Sequence, residues 1–371
     1  MSIISLGKLD KTLIVIFVGC IICFLNRLLN QYDCELNKNP MINNIVISPS
    51  RFLTVIPFII LKIRNKRMTT NAGIEKSNIN QIKLIYNDSE KIYAKSKWKF
   101  IILSGIIYAV EQTFFVYSFD IKTNTWMLYI LIASIFYYMI YKVKLYRHHY
   151  ITIILIILIG LIIDLVTGYL QDEIINKTYN LMAKLIKEIL FSLFNVLAKY
   201  TMEKKYVSVY EFSFYVGLII LILFIIFAVF DYYYFGLNDY DRYFNNFNRT
   251  ELLVIFGVIF TQLGINLTTL FTSKNNTPCH LFIIFLFGVM AYHINFEGYA
   301  PLIIICLIII LFLSLIFNEI IEINVFGMSY NTKRNIINRA SNEDIILVKT
   351  IDEEFENDGN QIELKNVEIY K

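Results

Sequence analysis

Blocks of predominantly apolar residues, each roughly 17 to 22 residues long, recur along this chain and constrain its fold more than any other feature. A helix rising 1.5 Å per residue crosses about 30 Å of hydrocarbon in about 20 residues, and only helices or closed barrels satisfy their own backbone polar groups there. The clearest blocks are 12–30, 45–63, 100–119, 150–168, 212–230, 251–271 and 299–317. Segments 123–141 and 278–295 are shorter, with strongly apolar centres, and each follows a clear block after one short turn, completing a hairpin. Segment 181–200 is amphipathic, so it reads either as a span or as a helix lying in the interface. Ten blocks use about 200 residues at that length, which leaves little for an extramembrane catalytic domain. The composition agrees: 57% of the residues are hydrophobic and 17% charged, against about 25% charged in soluble domains.

The charges orient the chain. Cytosolic loops are expected at 64–99, 142–149, 201–211 and 272–277, together with the tail after 318. The first carries Arg64, Arg67, Lys76, Lys83 and Lys91 among others, the second Lys142, Lys144 and Arg147, and the third Lys204 and Lys205. The opposite loops hold few cations, namely Lys38, Lys122, Lys177, Arg242 and Arg249, as the positive-inside rule requires. Two glycosylation sequons, at Asn176 and Asn248, fall on the expected lumenal side, while those at Asn87 and Asn275 fall on the cytosolic side. The tail contains an acidic run, Asp352, Glu353, Glu354, Glu356 and Asp358, and is expected to be disordered and cytosolic.

Five scattered cysteines make no disulfide framework, and Cys20 and Cys23 form their CxxC inside an apolar helix. His148, His149, His280 and His293 show no metal-ligand spacing with a carboxylate or cysteine, so no metal and no cofactor is expected. Walker A, GxSxG and HExxH motifs are missing from the sequence, which argues against an enzyme.

From Ile107, the stretch IYAVEQTFFVYSFDIKTNTWMLYILIASIF has a counterpart 152 residues later, IFTQLGINLTTLFTSKNNTPCHLFIIFLFG. Their turns align as Lys122, Asn124 and Thr125 against Lys274, Asn276 and Thr277. Two halves of five spans each would be inserted upside down relative to one another, since five is odd. The alternative is a chance likeness of two apolar hairpins. With SFDIKTNTWML entering the fourth span and NVLAKYTMEKKYVSVYEFSFYVGL joining the sixth to the seventh, residues 12–317 resemble the drug/metabolite transporter superfamily, whose ten-span members include nucleotide-sugar and triose-phosphate transporters. The resemblance implies an all-α fold of about ten transmembrane helices in two inverted five-helix repeats. The expected division is 1–168 for the first half, 169–317 for the second and 318–371 for the tail. Residence in an endomembrane such as the Golgi or ER follows from the resemblance and from the sequon-bearing lumenal loops, with the vacuole or plasma membrane left open, and the charge pattern places both termini in the cytosol.

Ionisable side chains within spans cost about 2.5 to 3.5 kcal/mol to insert, so they mark cavities or partners. Glu111 falls near the middle of the third span, on one helical face with Ser104, Tyr108 and Ser118. Arg51, among Ser48, Ser50 and Thr54 and between Pro49 and Pro57, is placed to pair with Glu111, to bind an anionic group, or to snorkel to the headgroups. Lys184, Glu188, Ser192, Asn195 and Lys199 form a continuous stripe, and Gln262, Asn266, Thr269 and Ser273 form a second. The second suits a sugar or amide, or hydrogen bonds between helices. Asp164 and Arg27 would form a gate or contact headgroups, and the lumenal acids Asp231, Asp239 and Asp241 read as a solvated loop.

These features predict a secondary transporter of a small organic metabolite, anionic in class, working by alternating access. Its substrate-binding residues would be Arg51, Tyr108, Glu111, Glu188, Asn195, Lys199, Gln262 and Asn266. The partners are a small-molecule substrate and the lipid bilayer, with no nucleic acid; a homodimer and a cytosolic partner of the acidic tail stay open. The alternatives are a membrane scaffold or receptor that does not transport, and a polytopic membrane enzyme.

Overall fold

A computed structural model describes residues 4–6, 11–30, 49–71, 97–114, 125–142, 145–171, 178–235, 249–294 and 300–323. Ser118, Asn87, Asn176, Asn248, Asp239, Asp241 and the tail from 324 on lie outside the described residues, as do the side chains of Asp164, Asp231 and His293. The described chain is helical apart from two three-residue strands, β1 (Ile4–Leu6) and β2 (Ile321–Ile323), which pair antiparallel with Ser5 opposite Glu322. No hydropathy pattern announced that pairing.

The helices, in order, are α1 (Lys11–Asn30), α2 (Pro49–Phe52), α3 (Val55–Asn71), α4 (97–114), α5 (Leu128–Tyr141), α6 (Arg147–Gln171), α7 (Thr178–Lys204), α8 (Val209–Phe235), α9 (Arg249–Asn275), α10 (Leu281–Ile294) and α11 (Ala300–Phe317). Two stretches, Val209–Phe227 and Leu252–Asn275, are long and apolar enough to cross a bilayer, and Leu13–Leu29, Leu128–Tyr141, Arg147–Ile163, Pro278–Ala291 and Pro301–Phe317 are shorter apolar helices. Segment 181–200 lies within one uninterrupted helix of 27 residues.

Local chemistry sets several boundaries. Ser208 Oγ accepts the Glu211 N–H at 3.1 Å, so the Ser-x-x-Glu of SVYE caps the start of α8. Lys97 reaches across to Glu211 at 2.7 Å and ties the starts of α4 and α8 together. The block expected at 45–63 is broken rather than continuous, and its second piece runs on through polar residues to Asn71. The break has a definite cause. Pro57 has no N–H to offer the Leu53 carbonyl four residues back, which takes the Ile56 N–H at 3.4 Å instead. One turn earlier the Arg51 carbonyl accepts both the backbone N–H and the hydroxyl of Thr54, at 3.2 and 2.6 Å.

The aligned hairpins take the same local form, a three-residue 3-10 turn (Thr125–Met127, Pro278–His280) leading into a 14-residue helix. Each turn packs on the start of the other hairpin's helix: Trp126 stacks on Phe282 at 5.4 Å, and the Tyr129 hydroxyl donates to the Pro278 carbonyl at 3.0 Å.

Two apolar clusters hold the bundle. One joins α1, α5, α6, α10 and α11 around Ile156, Ile284 and Ile310; the other joins α4, α7 and α8 around Ile101, Phe194 and Phe212. Outward faces are apolar too. Ile154, Leu158, Leu161 and Leu165 on α6, and Leu253, Phe256 and Phe260 on α9, stand exposed at helical spacing. Buried Arg51, Glu111, Glu188 and Lys199 and exposed leucine and phenylalanine reverse the partition of a water-soluble domain.

Candidate functional site

The helix break fixes Arg51. Four residues of helix carry it into the bundle, where Gly217 of α8 allows close approach: a Cβ at 217 would lie 2.7 Å from the Arg51 Cβ. The guanidinium lies over the Tyr108 ring, 4.2 Å from its centroid, with Phe194 at 5.5 Å, and the two rings pack at 4.8 Å. Arg51 is only 5% exposed, so it does not snorkel to a surface. Its Nη1 is buried without a hydrogen-bond partner. Such cation–π contacts contribute about 0.5 to 2 kcal/mol and leave the in-plane donors of the guanidinium available.

Glu111, one turn beyond Tyr108 on α4, is 1% exposed. Its carboxylate accepts one hydrogen bond, from the neighbouring Gln112 amide at 2.6 Å, and senses Lys187, Glu188 and Arg51 electrostatically. On α7, Lys187 and Glu188 pair at 3.1 Å, with Glu188 the more buried. Lys187 also feels Glu111 and Arg27. Two cations and two carboxylates from α2, α4 and α7 thus share one buried region, with Arg27 of α1 within electrostatic reach.

Buried polar side chains continue along the same helices and along α8 and α9. Asn266 donates to Ser50 Oγ at 3.2 Å and fastens α9 to the helix break. Asn195 gives its amide to the Phe191 carbonyl at 2.9 Å, while its Oδ1 is buried without a partner. The hydroxyls of Ser104, Ser192, Ser213, Thr269, Thr272 and Ser273 are also buried without partners. Unsatisfied buried polar groups cost about 1 to 3 kcal/mol each, so native proteins leave few of them without water or ligand. The stripe from Glu188 to Lys199 therefore faces the bundle interior rather than an aqueous interface.

Two expected site residues are placed elsewhere. Lys199 sits three turns from Glu188, about 16 Å along the helix axis. It donates to the Lys274 carbonyl at 3.2 Å and pairs with Glu203 at 3.3 Å, which employs its charge at the end of the bundle. Gln262 accepts from Asn26 Nδ2 at 3.4 Å, and Thr261 donates to Asn26 Oδ1 at 2.6 Å. These bonds join α1 to α9, the helix-to-helix alternative for that stripe.

Sequence reasoning missed Lys187, Phe194 and Gly217. Lys187 stands one position off the stripe of steps of three and four, yet its charge serves both glutamates. Phe194 is one of many aromatic residues, and nothing local marks its ring as the wall beside Arg51.

No family model matches this chain, and no curated protein matches it either.

Proposed function

We propose that the chain is a polytopic secondary transporter, with ten spans in two inverted five-helix halves, that moves a small anionic organic solute by alternating access. The observation that carries this reading is Arg51: a buried guanidinium, stacked on Tyr108 and presenting an unpartnered Nη1 at a helix break. Discontinuous helices deep in the bilayer form the binding sites of many secondary transporters, and a guanidinium matches a carboxylate or phosphate bidentately. Glu111 lies within electrostatic reach of Arg51, Lys187 and Glu188, and Arg51 Nη1 keeps no hydrogen-bond partner. The two like-built hairpins, meeting at Trp126 and Phe282, support the paired halves. The exposed apolar faces of α6 and α9 fit lipid. An endomembrane location accords with the resemblance of the sequence.

The test is counterflow by purified protein in liposomes, across nucleotide sugars, phosphorylated sugars, carboxylates, neutral amino acids and cationic drugs. Trans-stimulated uptake of one anionic class is expected, lost in Arg51→Lys, which keeps the charge without the planar fork, and reduced in Glu111→Gln. Cationic substrates alone, or full activity in Arg51→Lys, would overturn the assignment.

A further inference from the structure

A second cluster lies at the opposite kind of place, the bundle end that the positive-inside pattern makes cytosolic. His148 and His149 open α6, and Glu319 follows the last turn of α11. His148 is 2% exposed, and neither of its ring nitrogens has a hydrogen-bond partner. Its Nε2 lies 3.3 Å from Glu319 Oε1. The two imidazoles stack at 3.9 Å between centroids, with the Phe317 ring edge-on to His149 at 4.8 Å. One ligand atom from each of His148, His149 and Glu319 lies within 4.8 Å of the others.

The backbone around Glu319 is shaped for this meeting. The Ile320 N–H bonds the Leu315 carbonyl at 2.9 Å and the Glu319 N–H bonds the Ile316 carbonyl at 3.1 Å, the pair of contacts that ends a helix on a left-handed residue. That residue is Glu319, with φ at 57°, at a position where glycine is favoured because it has no Cβ to clash. The chain tolerates a strained non-glycine there and thereby aims a carboxylate at a buried imidazole.

We propose that His148, His149 and Glu319 form a binding site for a divalent transition metal of the zinc class. In tetrahedral coordination with metal–nitrogen and metal–oxygen distances of about 2.0 to 2.2 Å, two ligand atoms lie about 3.3 to 3.5 Å apart. The 3.3 Å from His148 Nε2 to Glu319 Oε1 is already one edge of that tetrahedron. The two imidazoles and one carboxylate are the borderline nitrogen and oxygen donors that zinc accepts, and a solvent molecule completes the fourth position. One local bond is exchanged on binding. His149 Nδ1 accepts the Tyr146 N–H at 3.1 Å, and a metal-bound imidazole needs its other nitrogen protonated, so this contact gives way. The ion would clamp the start of α6 to the end of α11, directly before β2. The histidines escaped notice as ligands because their third partner is distant in sequence.

The full chain, purified in detergent and stripped with a chelator, is titrated with Co2+ while the visible d–d absorption of a tetrahedral site is recorded. One Co2+ per chain is expected, displaced by Zn2+. His148→Ala should weaken binding at least about 100-fold, because even outer-shell changes cost about 10- to 100-fold. Glu319→Gly is the decisive variant: glycine suits the left-handed position, so the protein should melt no lower than the stripped wild type while binding weakens as much. Absence of stoichiometric Co2+ binding, or wild-type binding by Glu319→Gly, overturns the proposal; the latter would place the metal elsewhere, for example at Cys20 and Cys23.

Discussion

Replacing Gly217 by alanine probes whether close packing of the helix break against α8 is what positions Arg51. The added methyl would sit 2.7 Å from the Arg51 Cβ and 3.2 Å from both the Arg51 carbonyl carbon and the Phe52 nitrogen. Carbon atoms rest about 3.5 to 4.0 Å apart, so α2 must retreat by about 1 Å. No rotamer change relieves a clash with backbone atoms and a Cβ. Overpacking of this kind costs about 1 to 3 kcal/mol. Alanine regains up to about 1 kcal/mol over glycine within a helix, so a matched control is needed. Gly257→Ala supplies it, because the nearest atoms there are the side-chain ends of Leu29 at 3.3 and 3.8 Å, which can yield. The propensity gain is common to both variants, and their difference isolates the strain. At about 2 to 4 °C per kcal/mol, Gly217→Ala should melt roughly 2 to 12 °C below Gly257→Ala in the same detergent. It should also bind the counterflow substrate more weakly, since the displaced helix carries Arg51. A Gly217→Ala protein that melts at or above the control and transports normally would refute the argument.

Two further outcomes follow from the polar contacts. Gln262→Leu removes the acceptor of one contact between α1 and α9, so its effect on stability should be about 0.6 kcal/mol, the average for such bonds in membranes, with counterflow unchanged; loss of transport without loss of stability would return Gln262 to the substrate site. Lys187→Met strips the partner from Glu188, which is 3% exposed, so it should lower the melting temperature more than the double change Lys187→Met with Glu188→Leu does. Equal or greater damage in the double variant would show that the pair is not what makes Lys187 matter.

The helices were legible because apolar blocks bounded by charges leave the backbone few choices. The stripe on α7 was legible for a related reason: Glu188, Ser192 and Asn195 recur at the helical period, and the structure buries all of them. Depth was less legible than direction. Arg51 and Lys199 look alike as cations within apolar segments, and each lies over an aromatic ring, yet one keeps an open donor and the other is tied to a carbonyl and to Glu203. What separates them is the company each keeps from remote parts of the chain. The same holds for Gln262, whose partner Asn26 belongs to the first helix, and for His148, whose carboxylate partner follows the last helix. The break in the second block was half legible: Pro57 gave its place, but the close approach to Gly217 required the fold.

The antiparallel pairing of β1 with β2 carries a topological consequence. Residues 4–6 and 321–323 share hydrogen bonds, so they occupy the same side of any membrane the chain traverses. The number of crossings between Leu6 and Ile321 is therefore even, whatever each segment's hydropathy. In the proposed ten-span arrangement, demoting α7 alone to a surface helix would leave nine crossings and set the two strands on opposite sides of the bilayer. Parity thus ties the role of one amphipathic helix to six residues at the two ends of the described chain, through a constraint in which neither its charge nor its length takes part.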